Sequence, residues 1–186
     1  MSWPRSASLA FAAVVLYGLL AGCVTPPRPL ASSAMGVDPA HFAGRLAVKV
    51  GGADPRSISA GFDLDGGPEA GTLSLSTPLG SRMAQADWTS GQVVLITPKG
   101  ERRYADLDSL TRDVLGEPIP VRAMFDWLQA RPWPGAPSRP SEDLGTDTRA
   151  GFEQLGWTID LRQFADRLVD VKRATEPPVS VRVRLD

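Results

Sequence analysis

Short stretches of alternating apolar and polar residues constrain the fold of this chain more than any other feature. One face of the stretch 42–50 collects four apolar side chains, namely Phe42, Leu46, Val48 and Val50. The same period of two recurs in residues 58–64, 72–76, 157–162 and 179–185. Successive side chains of a strand point to opposite faces, so this pattern predicts strands with one buried and one solvated face, which is typical of antiparallel sheets. The stretch 92–97 is apolar at four successive positions, and we expect both of its faces to be covered.

Two amphipathic helices are predicted in the middle of the chain. Asp106 can cap a helix that Gly116 would end, with an apolar stripe of Leu107, Leu110, Val114 and Leu115. A second helix follows Pro120, with an apolar face of Val121, Met124, Phe125 and Leu128. Helices between two runs of antiparallel strands belong on one side of one sheet. A strongly curved sheet with helices across its opening is one arrangement that fits, and the space it encloses could be empty or filled by side chains.

The N-terminus has the organisation of an export signal. Arg5 precedes an apolar run over residues 9–20, which is shorter than the roughly 20 residues of a membrane-spanning helix but fits a signal-peptide core. The sequence Leu20-Ala21-Gly22-Cys23 then resembles the lipobox of bacterial lipoproteins, whose cysteine is acylated before cleavage. We therefore expect residues 1–22 to be cleaved, Cys23 to carry palmitate, residues 23–39 to form a flexible tether and residues 40–186 to form one domain. The alternative is an ordinary signal peptide followed by a stray cysteine.

The charge balance disfavours nucleic acid as a partner. The chain has 20 basic and 21 acidic side chains, and the signal would remove only Arg5. Such a balance also argues against attraction to anionic lipid as the main membrane contact. Attachment to a membrane would instead rest on the acyl chains at Cys23.

The residues that most enzymes use are scarce in this sequence. His41 is the one histidine and Cys23 the one cysteine, and no Gly-x-Ser-x-Gly elbow or phosphate-binding glycine loop occurs. The carboxylate pairs Asp63/Asp65 and Glu142/Asp143 stand in turn-like, polar surroundings, so we interpret them as solvated surface. We expect no enzymatic activity, no metal site and no cofactor.

Four segments of the chain resemble, in order, the outer-membrane lipoprotein receptor family LolB. They are Phe42-Ala43-Gly44-Arg45-Leu46-Ala47-Val48-Lys49, Leu73-Ser74-Leu75-Ser76-Thr77-Pro78-Leu79-Gly80-Ser81, the helical region from Tyr104 to Leu128, and Gly151-Phe152-Glu153-Gln154-Leu155-Gly156-Trp157. The segment Arg162–Arg167 departs from the family pattern as a local elaboration. The resemblance implies an incomplete, unclosed antiparallel β-barrel with a helical lid over an apolar cavity.

The resemblance also implies a function. Members of the LolB family accept acylated lipoproteins from a soluble periplasmic carrier, LolA, and insert them into the inner leaflet of the outer membrane. Val24 lacks the aspartate that in enteric bacteria retains a lipoprotein in the inner membrane, so we expect this chain on the periplasmic face of the outer membrane. We expect it to be a monomer whose partners are a LolA-like carrier, lipoprotein acyl chains and outer-membrane lipid.

The resemblance implies roles for particular residues. A family leucine that inserts into the membrane corresponds to Leu79, held out between Pro78 and Gly80, and the alternative is a core leucine at a turn. Candidates for contact with acyl chains are Phe62, Leu73, Leu75, Leu95, Leu110, Val114, Phe125 and Trp127, each of which could equally serve the core. Two other functions stay open: a structural or assembly lipoprotein that binds a protein partner, and a LolB-like carrier of another lipid.

Overall fold

The computed structural model describes residues 40–144 and 149–186, so the expected signal peptide and tether lie outside the described residues. The first six strands are β1 (Ala40–Val50), β2 (Arg56–Gly66), β3 (Gly71–Ser76), β4 (Arg82–Thr89), β5 (Gln92–Thr97) and β6 (Gly100–Tyr104). Two helices follow, α1 (Leu107–Leu115) and α2 (Val121–Trp127). The remaining strands are β7 (Ser138–Pro140), β8 (Gly151–Gln154), β9 (Trp157–Asp160), β10 (Leu168–Arg173) and β11 (Val179–Leu185).

The strands form one 11-stranded sheet in the order β6-β5-β4-β3-β2-β1-β11-β10-β9-β8-β7. It consists of two antiparallel meanders, β1–β6 and β7–β11, which join where β1 pairs with β11 from Gly44↔Leu185 to Val50↔Val179. The outer strands β6 and β7 have no place beside each other in this order, so the sheet is not closed. The predicted fold class, a single antiparallel sheet forming an incomplete barrel, is confirmed.

The alternation along the strands separates a buried inner face from a solvated outer face. At the junction of the meanders, Val48 and Val50 lie opposite Val181 and Val179, and all four are at most 7% exposed. Lys49, between the two β1 valines, is exposed on the outer face. The apolar side chains, which occupy every second position of a strand, therefore face the helices, as the period of two predicts.

Helix α1 begins and ends at the residues that the sequence predicts. The Asp106 carboxylate accepts hydrogen bonds from the Ser109 hydroxyl at 2.5 Å and from the Ser109 backbone N–H at 2.6 Å. Both bonds favour the charged carboxylate and hold the pKa of Asp106 below its ordinary value. Gly116 ends the helix in the left-handed region, at φ 87°, and donates its N–H to the Arg112 carbonyl.

Helix α2 connects the two meanders through its aromatic side chains. Phe125 makes edge-on contacts with Trp88 of β4 and Phe42 of β1, at ring-centroid distances of 6.0 and 6.3 Å. Trp127 is fully buried, and its indole N–H donates to the Gln154 side-chain oxygen of β8 at 2.7 Å. The helix therefore closes the inner face by filling the space between opposite parts of the sheet.

Gln154 is a buried polar residue that fixes the proline-rich segment after α2. Besides the bond from Trp127, its oxygen accepts the Trp133 backbone N–H at 2.9 Å, and its amide nitrogen donates to the carbonyls of Trp133 and Ala136 at 2.7 Å. All of these atoms belong to groups that would be costly to bury unpaired. The side-chain hydrogen bonds of Gln154 therefore fix this segment in place of the backbone hydrogen bonds of a helix or strand.

Strand β5 is covered less fully than its sequence predicts. Val93 and Leu95 are buried on the inner face, whereas Val94 and Ile96 on the outer face are only half-buried. In register beside the outer pair lie polar side chains of the neighbouring strands, namely Asp87, Arg103, Gln85 and Glu101. The expectation that both faces of β5 are covered was therefore wrong for the outer face.

Candidate functional site

An apolar cavity of about 310 Å³ lies between the helices and the inner face of the first meander. Its sheet wall consists of Leu46, Val48, Ile58, Phe62, Leu64, Leu73, Leu75, Met83, Ala84, Ala86, Leu95, Val181 and Val183. Its helical wall consists of Leu110, Val114, Leu115, Ile119, Val121, Met124 and Leu128. The polar side chains that reach this space are Thr97, Arg102 and Thr111. The cavity therefore suits a ligand with long apolar chains.

Most of the predicted cavity candidates lie in this wall, but two do not. The candidates that line the cavity are Phe62, Leu73, Leu75, Leu95, Leu110 and Val114. Phe125 and Trp127 instead belong to the packed core beside it, where they contact Trp88 and Gln154. Sequence reasoning missed Met83 and Ala84, because no alternating stretch was recognised in β4, and it placed Met124 on the apolar face of the second helix without counting it among the cavity candidates.

The polar side chains at the cavity already have partners within the protein. Arg102 donates to the Asp113 carboxylate at 2.7 Å. The Thr111 hydroxyl donates to the Leu107 carbonyl at 3.1 Å and accepts the Ile119 backbone N–H at 3.0 Å. A ligand in the cavity therefore does not need to supply hydrogen bonds, which favours a purely apolar occupant.

Polar contacts at the rim hold α1 over the cavity. Arg56 of β2 donates to the Val114 carbonyl at 3.2 Å, and the Tyr104 hydroxyl of β6 donates to Asp113 at 2.7 Å. Partial burial, together with the hydrogen bond to Asp113, raises the pKa of Tyr104. Exposed polar contacts of this kind contribute little net stability, so the burial of Leu107, Leu110 and Leu115 holds α1 more firmly than the rim does.

The cavity wall reaches the protein surface beside the turn between β3 and β4. Leu75, Met83 and Ala84 line the cavity and flank this turn in the chain. Met83 is 39% exposed although it lines the cavity, so the apolar surface is continuous from inside to outside. A chain that entered or left the cavity at this point would pass the turn.

Leu79 lies at the tip of this turn and is 94% exposed. The Gly80 N–H donates to the Thr77 carbonyl at 2.9 Å, and the Thr77 N–H donates to the Ser81 carbonyl at 2.9 Å. Pro78 suits the second position of such a turn, and Gly80 takes the left-handed conformation at φ 83° that the last position requires. The alternative of a leucine buried in the core is excluded by this exposure.

The outer face carries a larger groove of about 780 Å³, but its lining is charged. Lys49, Arg162, Lys172 and Asp160 are among its residues. Arg162 donates to Asp160 at 2.5 Å and thereby holds the pKa of that carboxyl below its ordinary value. Covering these charges with an apolar ligand would cost hydration without a compensating partner, so the smaller cavity is the better candidate for such a ligand.

The remaining candidates for chemistry lie on the surface. His41 is exposed and forms a 2.6 Å hydrogen bond with Asp65, and Asp63, Glu142 and Asp143 are also exposed. Across residues 40–144 and 149–186 no group of three or more His, Cys, Asp or Glu side chains is arranged to hold a metal ion. Within the same described ranges, no helix combines the length and hydrophobicity needed to cross a membrane.

Comparison with known proteins gives a consistent result. The family model described as outer membrane lipoprotein LolB matches residues 40–185. The chain is 35% identical to the outer-membrane lipoprotein LolB of Bordetella pertussis over 184 residues, which cover 95% of this chain and 90% of that protein. It is 31% identical to the LolB of Ralstonia nicotianae, with 92% of each chain covered, and 32% identical to that of Chromobacterium violaceum, with 80% and 79% covered. The chain therefore belongs to the outer-membrane lipoprotein LolB family.

Proposed function

We propose that this protein is an outer-membrane receptor that accepts acylated lipoproteins from a LolA-like periplasmic carrier and inserts them into the inner leaflet of the outer membrane. The observation that carries this proposal is an apolar cavity whose wall reaches the surface beside an exposed leucine. Family membership supports the same function.

The cavity provides the acceptor site for acyl chains. Moving an acyl chain from water into an apolar wall is favourable by about 0.8 kcal/mol per methylene. A volume of about 310 Å³ is near the lower end of the range for ligand pockets, roughly 300–1,000 Å³. Binding of long acyl chains therefore requires side chains of the cavity wall to move. Met83 and Met124 have flexible side chains that can do so.

Leu79 provides the contact with the target bilayer. Its side chain has almost no protein contact to lose, so burial in lipid is a net gain of about 1.5–3 kcal/mol. The hydrogen-bonded turn keeps the leucine extended, and the cavity wall begins a few residues away at Leu75 and Met83. The chains would thus leave the cavity next to the point of insertion.

The lipid at Cys23 keeps the domain at the periplasmic face of the outer membrane. Cys23 lies outside the described residues, and the assignment rests on the lipobox-like sequence and on Val24. The roughly 16 residues between Cys23 and the first strand could span about 50 Å when extended. This exceeds the length of β1, about 36 Å for its 11 residues, so either end of the sheet can reach the membrane.

Transfer needs no catalysis in this proposal. Acyl chains move from carrier to receptor to bilayer because each site binds them more strongly than the last, so no nucleotide, metal or cofactor takes part. An assembly lipoprotein that binds only a protein partner would not require an apolar cavity continuous with the surface, and the family relationship does not favour it.

Depletion of the protein in its own cells tests this function. We expect other outer-membrane lipoproteins to accumulate in the periplasm in complex with the carrier, and expression of the wild-type chain to restore their location. A chain with Cys23→Ala should lose palmitate labelling and membrane residence. Lipoproteins that reach the outer membrane at the normal rate after depletion would contradict the proposed function.

A further inference from the structure

Leu155 occupies an unusual position for a leucine. Gln154 pairs with Trp157 across the β8–β9 hairpin, so Leu155 and Gly156 form a two-residue turn. Both residues adopt the left-handed conformation, at φ 56° and 77°. Asn, Asp and Gly are the residues that tolerate the first position of such a turn, whereas a leucine there is strained and gains no compensating burial, because it is 47% exposed.

The turns that carry Leu155 and Leu79 lie at the same end of the sheet. Each strand is antiparallel to its neighbours, so the C-terminal ends of β1, β3, β5, β8 and β10 all point one way. We call this the Leu79 end. The large hydrophobic residues that are exposed in the described part of the chain are Leu79, Met83 and Leu155, and all of them belong to the turns of this end or to the strand beside them.

Basic side chains gather at the Leu79 end. All lysines of the chain, Lys49, Lys99 and Lys172, lie in its turns or within two residues of them. Arginines in equivalent places are Arg56, Arg82 and Arg173, and the acidic residues there are Asp54, Glu101, Glu153 and Glu176. Ion pairs join Arg56 to Asp54 at 3.0 Å, Arg139 to Glu153 at 2.7 Å and Arg173 to Glu117 at 2.7 Å. The three lysines and Arg82 then outnumber Glu101 and Glu176, so the charge of this end is positive.

The opposite end of the sheet carries both signs of charge. Its turns and termini hold the exposed carboxylates Asp65, Glu69, Asp106, Asp108, Asp166 and Asp186, and also the exposed arginines Arg103, Arg162, Arg167 and Arg184. The three lysines, in contrast, all belong to the Leu79 end. Lysine contacts with a surface of phosphate groups are therefore confined to the Leu79 end.

We propose that Leu155 is a second lipid-contacting residue, which enters a phospholipid bilayer together with Leu79 while the lysines of the Leu79 end contact lipid phosphates. This inference rests on the proposed function. The two leucine turns are separated by six strands of the curved sheet. Insertion at both turns therefore fixes the orientation of the domain on the membrane, which insertion at a single turn would leave free to rotate. Strain at an exposed leucine is then compensated in the membrane-bound state, where the side chain leaves water.

The substitution Leu155→Asn separates this role from a structural one. Asn fits the left-handed turn position, so the unfolding temperature should stay the same or rise. In a reconstituted reaction with lipidated receptor, acceptance of lipoprotein from the carrier should be unchanged, whereas insertion into vesicles of phosphatidylethanolamine and phosphatidylglycerol should slow by about fivefold. Unchanged insertion, or a lower unfolding temperature, would overturn the inference.

Depth measurements distinguish this inference from the proposed function itself. Cys23 is acylated in the lipidated protein, so Leu155→Cys, Leu79→Cys and the control Ser90→Cys, in a turn at the opposite end, each introduce one reactive thiol for a fluorescent label. With acyl chains of the vesicle lipid brominated, we expect quenching of the labels at 155 and 79 but not at 90. Quenching at 79 alone would overturn the inference and leave the proposed function standing; quenching at neither would contradict both.

Discussion

At the scale of single residues, the exposed leucine of the β3–β4 turn is the most predictable element of the site. Pro78 and Gly80 have backbone preferences that are local, and the structure uses both of them in the turn. The family resemblance assigned Leu79 its role, and the same local chemistry explains why this leucine lies outside the core. Leu155 could not be recognised in this way, because leucine is not a turn residue and its position depends on strand pairing.

Replacement of Leu79 by glutamate should leave the folded domain intact. With 94% of the residue exposed, the free energy of unfolding should change by no more than about 0.5 kcal/mol. The control is Leu64→Ala, at a position that is 4% exposed, which should cost about 2–5 kcal/mol. Urea unfolding of the two variants measures both quantities, and a large loss for Leu79→Glu would mean that this leucine supports the fold.

The residues that create the cavity are harder to predict than those that create the core. Alternation identifies inward positions, and it identified Leu73 and Leu75 correctly as such. Whether the space in front of them is filled depends on the size of residues that come from elsewhere in the chain. Ala84 and Ala86 leave room in the first meander, and no pattern within β4 signals that consequence.

At the scale of secondary structure, helices and long alternating strands were predictable, whereas short or irregular strands were not. The cap at Asp106 and the stop at Gly116 are local interactions, so both ends of α1 were found. Strand β6 was not predicted because its inward positions hold Arg102 and Tyr104. Both are polar residues in the sequence, although the apolar part of each side chain covers apolar surface in the structure. Strands β4, β7, β8 and β10 were likewise assigned only by the pairing seen in the structure.

The cap of α1 gives a prediction with a defined pH dependence. Asp106→Ala removes the acceptor of the Ser109 bonds and should lower the free energy of unfolding by about 1 kcal/mol at neutral pH, whereas Asp106→Asn should retain most of the cap. The pKa of Asp106 is lowered in the folded protein, so the contribution of its charge is present above the ordinary pKa of 3.8 and is lost as the pH falls below it. Denaturant unfolding at pH 7 and pH 3 should show the difference between the wild-type and alanine proteins shrinking in acid toward the difference between the asparagine and alanine proteins; a constant difference would contradict this origin of the pKa shift.

Filling the cavity from the sheet tests whether it binds acyl chains. Ala84 is half-buried on the cavity wall, and Ala47 is half-buried on the outer face of β1, so Ala84→Phe and Ala47→Phe add the same atoms on opposite sides of the sheet. We expect only Ala84→Phe to weaken binding of a fluorescent fatty acid, by at least about tenfold. The overpacking penalty should stay within about 1–3 kcal/mol, which thermal unfolding would check. Equal binding by both variants would place the fatty acid elsewhere.

At the scale of the whole molecule, the two meanders differ in what lies against their inner faces. In the second meander, Trp157, Ile159, Val169 and Val171 are at most 3% exposed and belong to the hydrophobic core, as does Trp127. The first meander shares its inner face with the cavity.

The sequence pattern predicted four of the six strands of the first meander and two of the five strands of the second. The asymmetry of the inner face comes from Trp127, which α2 directs toward Gln154 of β8, whereas Phe125 packs against Trp88 and Phe42 of the first meander. That distribution is a property of tertiary packing and has no periodic signature.

In the proposed function, acceptance and insertion of lipoproteins depend on different parts of one domain. A purified reaction separates the two steps: labelled lipoprotein passes from the carrier to the lipidated receptor and then into liposomes, and both transfers are measured. We expect Ala84→Phe to fail to accept lipoprotein, whereas Leu79→Glu should accept it at the wild-type rate and fail to release it into the bilayer. Normal acceptance by Ala84→Phe, or normal insertion by Leu79→Glu, would contradict this division.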